Sequence, residues 1–128
     1  MNLHQLVDRS AQSISTYKVN RIINDINPRL EVDAETEMLM EVVLCLLDSA
    51  TGHAGSTYVR VAAKTFHNIV LMQIKYSDPR YENEIEKALE GIKELAQSLG
   101  GCLYVTRGGK KETTISLTFM SQHVFAIA

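Results

Sequence analysis

Four polar residues stand within one apolar stretch of this sequence, and three of them could supply oxygen ligands to a hard cation. The stretch covers residues 38–50 and contains Glu41, Cys45, Asp48 and Ser49. Mg²⁺ prefers carboxylate and hydroxyl oxygens, whereas a thiol is a poor ligand for so hard an ion. On a helix Glu41 lies on nearly the same face as Ser49, while Asp48 points about 100° away from Ser49. Glu41 is better explained as the polar edge of a mostly buried helix than as a carboxylate of a binding site.

The rest of the sequence offers no second set of residues at a catalytic or metal-binding spacing. None of the four histidines has a carboxylate or cysteine at such a spacing; they are His4, His53, His67 and His123. Neither a G-x-x-x-x-G-K-[ST] phosphate loop nor a nucleophile elbow occurs. Cys45 and Cys102 fit small core residues of a protein from a reducing compartment. We therefore predict no catalytic residue and no metal site.

The composition is that of one ordinary globular domain. The chain has 128 residues, of which 45% are hydrophobic and 22% charged, with a net charge of −2. The length predicts a single domain over residues 1–128, with its core in residues 3–119 and a tail at 120–128. No basic field favours nucleic acid as a partner. No apolar run reaches the roughly 20 residues of a membrane span, and no signal-peptide pattern occurs, so a cytoplasmic protein without membrane contact is expected.

Three segments have the periodicity of helices. Residues 38–50 are apolar nearly all round, which predicts a helix in the middle of the fold. Asp33 is its expected N-cap, and Gly52 marks its expected end. One-sided helices are predicted over residues 3–14 and 81–99, where apolar residues recur at spacings of three and four.

Five segments have the composition or alternation of β-strands. They cover residues 17–26, 57–64, 69–76, 102–107 and 112–119. Short polar or glycine-containing links predict that the second and third strands form one antiparallel hairpin and the last two another. The tail over residues 122–128 is expected to add a short edge strand or to be disordered. This order of elements predicts an α/β (α+β) two-layer sandwich, with helices on one face of a mixed, mostly antiparallel sheet.

Three local patterns, in this order, resemble the ATP-binding catalytic domain of bacterial sensor histidine kinases. Residues 35–50 end in C-L-L-D-S-A and resemble the helix with the asparagine box, N-L-L-x-N-A. The strands around residues 59–61 and 69–76 resemble the pair that leads to the D-x-G-x-G box. Residues 91–117 resemble the last helix, double glycine and closing hairpin. The resemblance covers residues 3–119 and implies the histidine kinase-like ATPase (Bergerat) fold, with ATP and Mg²⁺ as ligands.

The positions that hold Mg²⁺ and adenine in that family carry other residues here. Cys45 and Ser49 stand where the family has the asparagines that help to hold the magnesium. In strict register Tyr76 takes the place of the adenine-binding aspartate. A slip of two residues gives that role to Asp78, but it moves the side chain by about 7 Å along the strand.

The phosphate-binding part of the family pattern is also altered. Counting back from Gly100 and Gly101, the glycines that open the family's last helix fall on Glu86 and Ala88. A carboxylate at this point repels the phosphates that the glycines admit. The segment after Asp78 is too short for the long mobile lid that closes over ATP, so we expect the fold with a shortened lid.

Three hypotheses follow. The first is a degenerate domain without ATP or Mg²⁺, used as a scaffold in bacterial two-component signalling; a signalling protein or the remainder of a sensor kinase docks on its first helix or shortened lid. The alternative is a working catalytic domain of a larger sensor histidine kinase, in which Glu41, Asp48 or Ser49 serves Mg²⁺ and Asp78 binds adenine. The third is an unrelated α/β sandwich that forms a homodimer through an exposed sheet edge, and the strand order distinguishes it from the other two.

Overall fold

The computed structural model describes residues 1–15, 21–54, 58–77, 87, 89–108, 112–121 and 124–125. These ranges contain three helices and seven strands. In chain order they are α1 (Leu3–Ser15), β1 (Arg21–Asn24), β2 (Glu31–Val32), α2 (Thr36–Ala54), β3 (Tyr58–Phe66), β4 (Ile69–Ser77), α3 (Glu90–Ser98), β5 (Cys102–Arg107), β6 (Glu112–Met120) and β7 (Val124–Phe125).

Five of the strands form one mixed sheet in the order β1-β3-β4-β6-β5. β1 pairs with β3 in parallel, and the other three pairings are antiparallel. The predicted mixed, mostly antiparallel sheet and its two hairpins are therefore confirmed. β3 runs two residues further than predicted, so that only His67 and Asn68 connect it to β4, and His67 takes a positive φ of 55° in this tight turn.

Alternation along the strands gives the sheet one buried face and one open face. The buried face consists of side chains that are almost completely inaccessible, among them Val59, Val61, Val70, Met72, Ile74, Ile115, Leu117 and Phe119. α2 contacts β3 and β4, α3 contacts β5 and β6, and α1 contacts β1 and α2. The helices thus cover one face, as the two-layer prediction requires.

α2 is the central helix of the domain. Its core-facing side chains are 0% exposed and comprise Leu39, Val42, Val43, Leu46, Leu47 and Ala50. It contacts α1, α3, β3 and β4, so it lies between the other helices and the sheet. The prediction of a mostly buried helix in the middle of the fold is confirmed. None of the helices in the described ranges combines the length and hydrophobicity that a bilayer-spanning helix requires.

The start of α2 differs from the sequence prediction. The Glu35 carboxylate accepts hydrogen bonds from the backbone N–H groups of Met38 (2.7 Å) and Glu37 (3.3 Å). Glu35 therefore satisfies two of the N–H groups that the first helical turn leaves without an intrahelical partner. The prediction that Asp33 is the N-cap was wrong, and its backbone N–H instead donates to Ser121 Oγ at 2.7 Å.

The end of α2 also differs from the prediction. The helix continues through Gly52 to Ala54, so Gly52 does not end it. A glycine inside a helix costs only about 1 kcal/mol, which the packing of the surrounding turn can outweigh. Thr51, one residue earlier, is buried, and its hydroxyl donates to the Asp48 carbonyl oxygen at 3.0 Å.

β1 is shorter than the predicted strand over residues 17–26, of which residues 16–20 lie outside the described ranges. The strand ends at Asn24, whose side-chain amide donates to the His4 carbonyl oxygen at 3.0 Å and to Asp8 Oδ1 at 2.9 Å. Asn24 Oδ1 also accepts a hydrogen bond from the Ile26 backbone N–H at 3.2 Å. This local bond competes with the ladder and turns the chain away from the sheet.

The structure contains a small second sheet, formed by β2 and β7, and the sequence analysis did not predict β2. Glu31 and Val32 pair with Phe125 and Val124 in antiparallel register. Val32 N–H also donates to the Met1 carbonyl oxygen at 2.9 Å. Of the predicted tail, Val124–Phe125 form a strand, but this strand pairs with β2 and not with the main sheet. Two-residue strands carry no recognisable alternation, which explains the omission.

Candidate functional site

The candidate ligands on α2 lie on the side of the helix away from the core. Glu41 and Asp48 are exposed, while Cys45 and Ser49 are half-buried. Spacings of four and three residues place Glu41, Cys45 and Asp48 along one stripe, with Ser49 at its edge. We call these four residues the α2 stripe. The structure therefore brings together the four helical residues that the sequence identified.

The two carboxylates of the α2 stripe act on the thiol between them. The pKa of Cys45 is raised, first by its partial burial and then by the negative charges of Glu41 and Asp48. A raised pKa keeps the thiol protonated at neutral pH, and the thiolate is the form that binds metals and acts as a nucleophile. Cys45 therefore behaves as a neutral side chain at a position that faces two negative ones.

The α2 stripe does not form a metal-binding cluster with other side chains. Within the described ranges, no three histidine, cysteine or acidic side chains are close enough together to hold a metal ion. Asp48 and Ser49 differ by one helix position, so their side chains point about 100° apart, as expected. The stripe offers oxygen atoms but does not direct them to one point.

Tyr76 lies at the end of β4, on the face of the sheet that the helices cover. It is only 3% exposed and belongs to the main hydrophobic core. Its register partners are Val59 on β3 and Thr113 on β6, both completely buried. In the strict register of the resemblance this is the position of the adenine-binding aspartate, and here an aromatic ring fills it.

The other residues of the predicted site lie outside the described residues. They are Asp78, Glu86 and Ala88, together with the segment that would form a lid. Two inferences therefore stay predictions. One is the two-residue shift of register that assigns adenine binding to Asp78, and the other is the loss of the glycines that face the phosphates.

Three shallow hollows in the described surface, of about 200, 210 and 220 Å³, do not include the α2 stripe. Two of them lie between α1 and α2, where both include Arg9 and Met40. The third lies at one end of β3, β4 and β6 and includes Arg60, Lys75 and Glu112. The sequence reasoning did not single out this charged hollow. The alternation of β3 and β4 already contained the signal, because it places Arg60 and Lys75 on the solvent side of both strands.

Removing the carboxylates of the α2 stripe should make Cys45 more reactive. In a Cys102→Ser background, we expect Glu41→Gln with Asp48→Asn to lower the pKa of Cys45 and to speed its alkylation by iodoacetamide about threefold at pH 8. The gain is partial because burial, the larger cause of the raised pKa, is unchanged. The rate is measured against pH by mass spectrometry. Glu37→Gln, one turn before Glu41, is the control, and an equal gain in that variant would contradict the assignment.

Comparisons with known proteins place the fold. A scan against protein-family models and a search of curated proteins find no match to the sequence. The mycobacterial sensor histidine kinase MprB has a TM-score of 0.77 and 17% identity, over 94% of this chain and 95% of that chain. The ATP-binding domain of PrrB from Mycobacterium tuberculosis has a TM-score of 0.74 and 19% identity, over 96% of both chains. Full-length ShkA in complex with AMPPNP has a TM-score of 0.77 and 15% identity, over 94% of this chain but 31% of that chain.

These likenesses establish the fold of this chain as that of the ATP-binding catalytic domain of sensor histidine kinases. The resemblance on which the sequence interpretation depended is confirmed at the level of the fold. The third hypothesis required a different fold, and in that respect it was wrong.

Proposed function

We propose that this domain is a histidine kinase-type ATPase domain that has lost nucleotide binding and acts as an interaction module in bacterial two-component signalling. Its partner would be a signalling protein or the remainder of a sensor kinase, in the cytoplasm. The observation that supports this proposal most directly is the α2 stripe. There the protonated thiol of Cys45 lies between the carboxylates of Glu41 and Asp48, at a position where the family has an asparagine.

The chemistry of the α2 stripe opposes the binding of a nucleotide triphosphate. An asparagine contributes a neutral amide oxygen that Mg²⁺ accepts, whereas the protonated Cys45 thiol contributes no suitable donor. Without a bound cation, Glu41 and Asp48 repel phosphate oxygens at the distances across a binding site. The α2 stripe thus lacks one ligand for Mg²⁺, and its negative charge is unfavourable for binding phosphates.

The burial of Tyr76 supports the same proposal at the adenine end. A carboxylate that recognises adenine must face the pocket, but the ring of Tyr76 packs among core residues and is 3% exposed. Recognition of the adenine amino group would need another hydrogen-bond acceptor, and within the described residues no carboxylate lies at the end of β4 on its buried face. The replacements at Cys45 and Tyr76 affect opposite ends of the family's site, and both support the loss of nucleotide binding.

The alternative is a working catalytic domain of a larger sensor kinase. It is favoured by the oxygen atoms of Glu41, Asp48 and Ser49, which lie on the exposed side of α2, and by the AMPPNP complex of ShkA. In this case Asp78 would bind adenine, and Mg²⁺ would neutralise the carboxylates.

A thermal-stability titration with ATP, ADP and Mg²⁺ separates the two proposals. A ligand at about 100 times its Kd adds roughly 2.7 kcal/mol to the free energy of unfolding. We expect no change in the melting temperature at millimolar nucleotide and no heat in a calorimetric titration. The ATP-binding domain of PrrB serves as the positive control. A shift of several degrees that Asp78→Asn abolishes would overturn the proposal in favour of the working domain.

A further inference from the structure

The open face of the sheet carries an unusual concentration of apolar side chains. All five large hydrophobic residues that are exposed in the described ranges lie on it: Tyr58 (58% exposed), Phe66 (72%), Ile69 (41%), Tyr104 (44%) and Met120 (43%). Tyr58, Ile69, Tyr104 and Met120 each stand next to a buried residue on their strand, and Phe66 is in phase with Tyr58 along β3, so all five point away from the helices. Single exposed hydrophobic residues are ordinary, but their collection on one face is typical of an interaction surface.

Three of these residues form one continuous row. Phe66 pairs with Ile69 across the β3–β4 hairpin, and Ile69 pairs with Met120 on β6. Directly opposite side chains on neighbouring strands lie about 5 Å apart, so the three make contiguous apolar surface. Half-buried Leu71 stands in the adjoining row, and we call these four residues the apolar row.

The charges on the same face are mostly positive, although the chain as a whole has a net charge of −2. The described charged side chains on the strands there are Arg60, Lys64, Lys75 and Glu112, and with Asp25, which pairs with Arg60, they make three cations against two carboxylates. Lys75 stands directly across from Arg60, an arrangement that costs stability because like charges are opposed. Arg60 donates to Asp25 at 2.8 Å, but no ion pair within the described ranges involves Lys64 or Lys75. Lys64 lies directly opposite Leu71 of the apolar row.

We infer that this open face binds an acidic amphipathic segment of another protein, with its apolar side chains on the apolar row and its carboxylates against Lys64 and Lys75. A second copy of this chain fits poorly, since two such faces would bring cations together, and like-charge juxtaposition across an interface costs several kcal/mol. An anionic membrane is also a poor fit, because stable attraction to such a surface takes a cluster of several basic residues and this face has two lysines without an ion pair. The inference names a partner class for the proposed interaction role and depends on that proposed function.

The probe is a synthetic peptide of about 18 residues built from leucine, glutamate and alanine, with leucines on one helical face, and a counterpart with lysine in place of glutamate. The full chain, labelled with ¹⁵N, is titrated with each peptide. We expect the acidic peptide to shift amide signals of residues 64–72 and 118–120, with an affinity that falls as salt is added. The basic peptide should shift none of them.

Variants test the two parts of the surface separately. Phe66→Ser should weaken the acidic peptide about tenfold, as truncation of an anchoring aromatic does. Lys64→Glu with Lys75→Glu should reverse the preference, so that the basic peptide binds better. Lys93→Glu, an exposed lysine on α3, is the matched control and should change neither affinity. Circular dichroism confirms that each variant is folded.

Several results would overturn the inference: no shifts with the acidic peptide at millimolar concentration, shifts confined to α1 or α2, or equal binding of both peptides. If analytical ultracentrifugation shows that the parent protein self-associates and that Phe66→Ser does not, the open face would be assigned to a second copy of this chain. Binding to phosphatidylserine vesicles without binding to the acidic peptide would assign it to a membrane. Because the peptide titration reports on the open face and the nucleotide titration on the α2 side, failure of one is distinguishable from failure of the other.

Discussion

Tyr76→Asp is expected to remove most of the stability of the domain and not to restore a nucleotide site. The substitution places the family's aspartate at the strict-register position on β4. Here that position is a core site, since Tyr76 is 3% exposed and its partners Val59 and Thr113 are buried. The new carboxylate would point into apolar surroundings and not into a pocket.

Two costs add at position 76. Removing a buried aromatic ring costs about 3–5 kcal/mol through lost burial and the cavity left behind. An uncompensated buried carboxylate adds several kcal/mol, or takes up a proton, because its charge is desolvated. Domains of this size have a total free energy of unfolding of about 5–15 kcal/mol. The variant should therefore be largely unfolded or melt far below the parent protein.

Urea denaturation followed by circular dichroism measures this effect. Lys75→Asp is the matched control, because it introduces the same side chain one residue earlier, on the open face and opposite Arg60. We expect that control to stay within about 0.5 kcal/mol of the parent. Tyr76→Phe keeps the ring and should also remain folded. A stable Tyr76→Asp variant that gains ATP binding would mean that position 76 borders a recoverable nucleotide pocket.

Gly101→Ala should destabilise the domain by about 3 kcal/mol or more. A Cβ on Gly101 would lie 1.6 Å from the Thr118 carbonyl oxygen and 2.3 Å from its carbonyl carbon. These are backbone atoms of β6, which pairs with β5 from Cys102 onward, so they cannot move without disturbing the ladder. Alanine at this position requires the junction between α3 and β5 to shift.

The preceding residue explains why the chain is held so tightly at Gly101. Gly100 has a φ of 77°, and its N–H donates to the Gln97 carbonyl oxygen, while the Gly101 N–H donates to that of Ala96. This is the Schellman arrangement that ends a helix with a left-handed residue. Gly100 therefore allows the helix to end with a left-handed residue, and Gly101 allows the close contact with β6. Neither role requires a ligand.

Gly91→Ala is the control for Gly101→Ala. Gly91 lies on the exposed side of α3, and a Cβ there would meet nothing within 4 Å. Alanine at this position should stabilise the domain by about 0.5–1 kcal/mol. Chemical denaturation of both variants gives the comparison. If Gly101→Ala unfolds at the same denaturant concentration as the parent, the close contact with Thr118 does not constrain the fold.

Of the residues predicted for the site, the described part of the chain contains only those on α2. Glu41, Cys45, Asp48 and Ser49 lie on one side of this helix, as the 3.6-residue period requires, and their role in binding a nucleotide stays a prediction. The burial of Tyr76 was not foreseen, because the resemblance places a ligand-binding residue at this position, although Tyr76 is in phase with the buried residues Met72 and Ile74 of β4. The helix start was assigned to Asp33 instead of Glu35 because either acidic residue could reach the first turn.

The sequence by itself determined the order of the three helices and of the five strands of the main sheet, the central position of α2 and the fold class, because hydrophobic periodicity is a local property that each segment carries alone. Only the tertiary structure decided the raised pKa of Cys45, the pairing of β2 with β7 and the row formed by Phe66, Ile69 and Met120. Ile69 and Met120 are far apart in the chain and meet through strand register. Register and burial depend on contacts between distant segments, which no local pattern specifies.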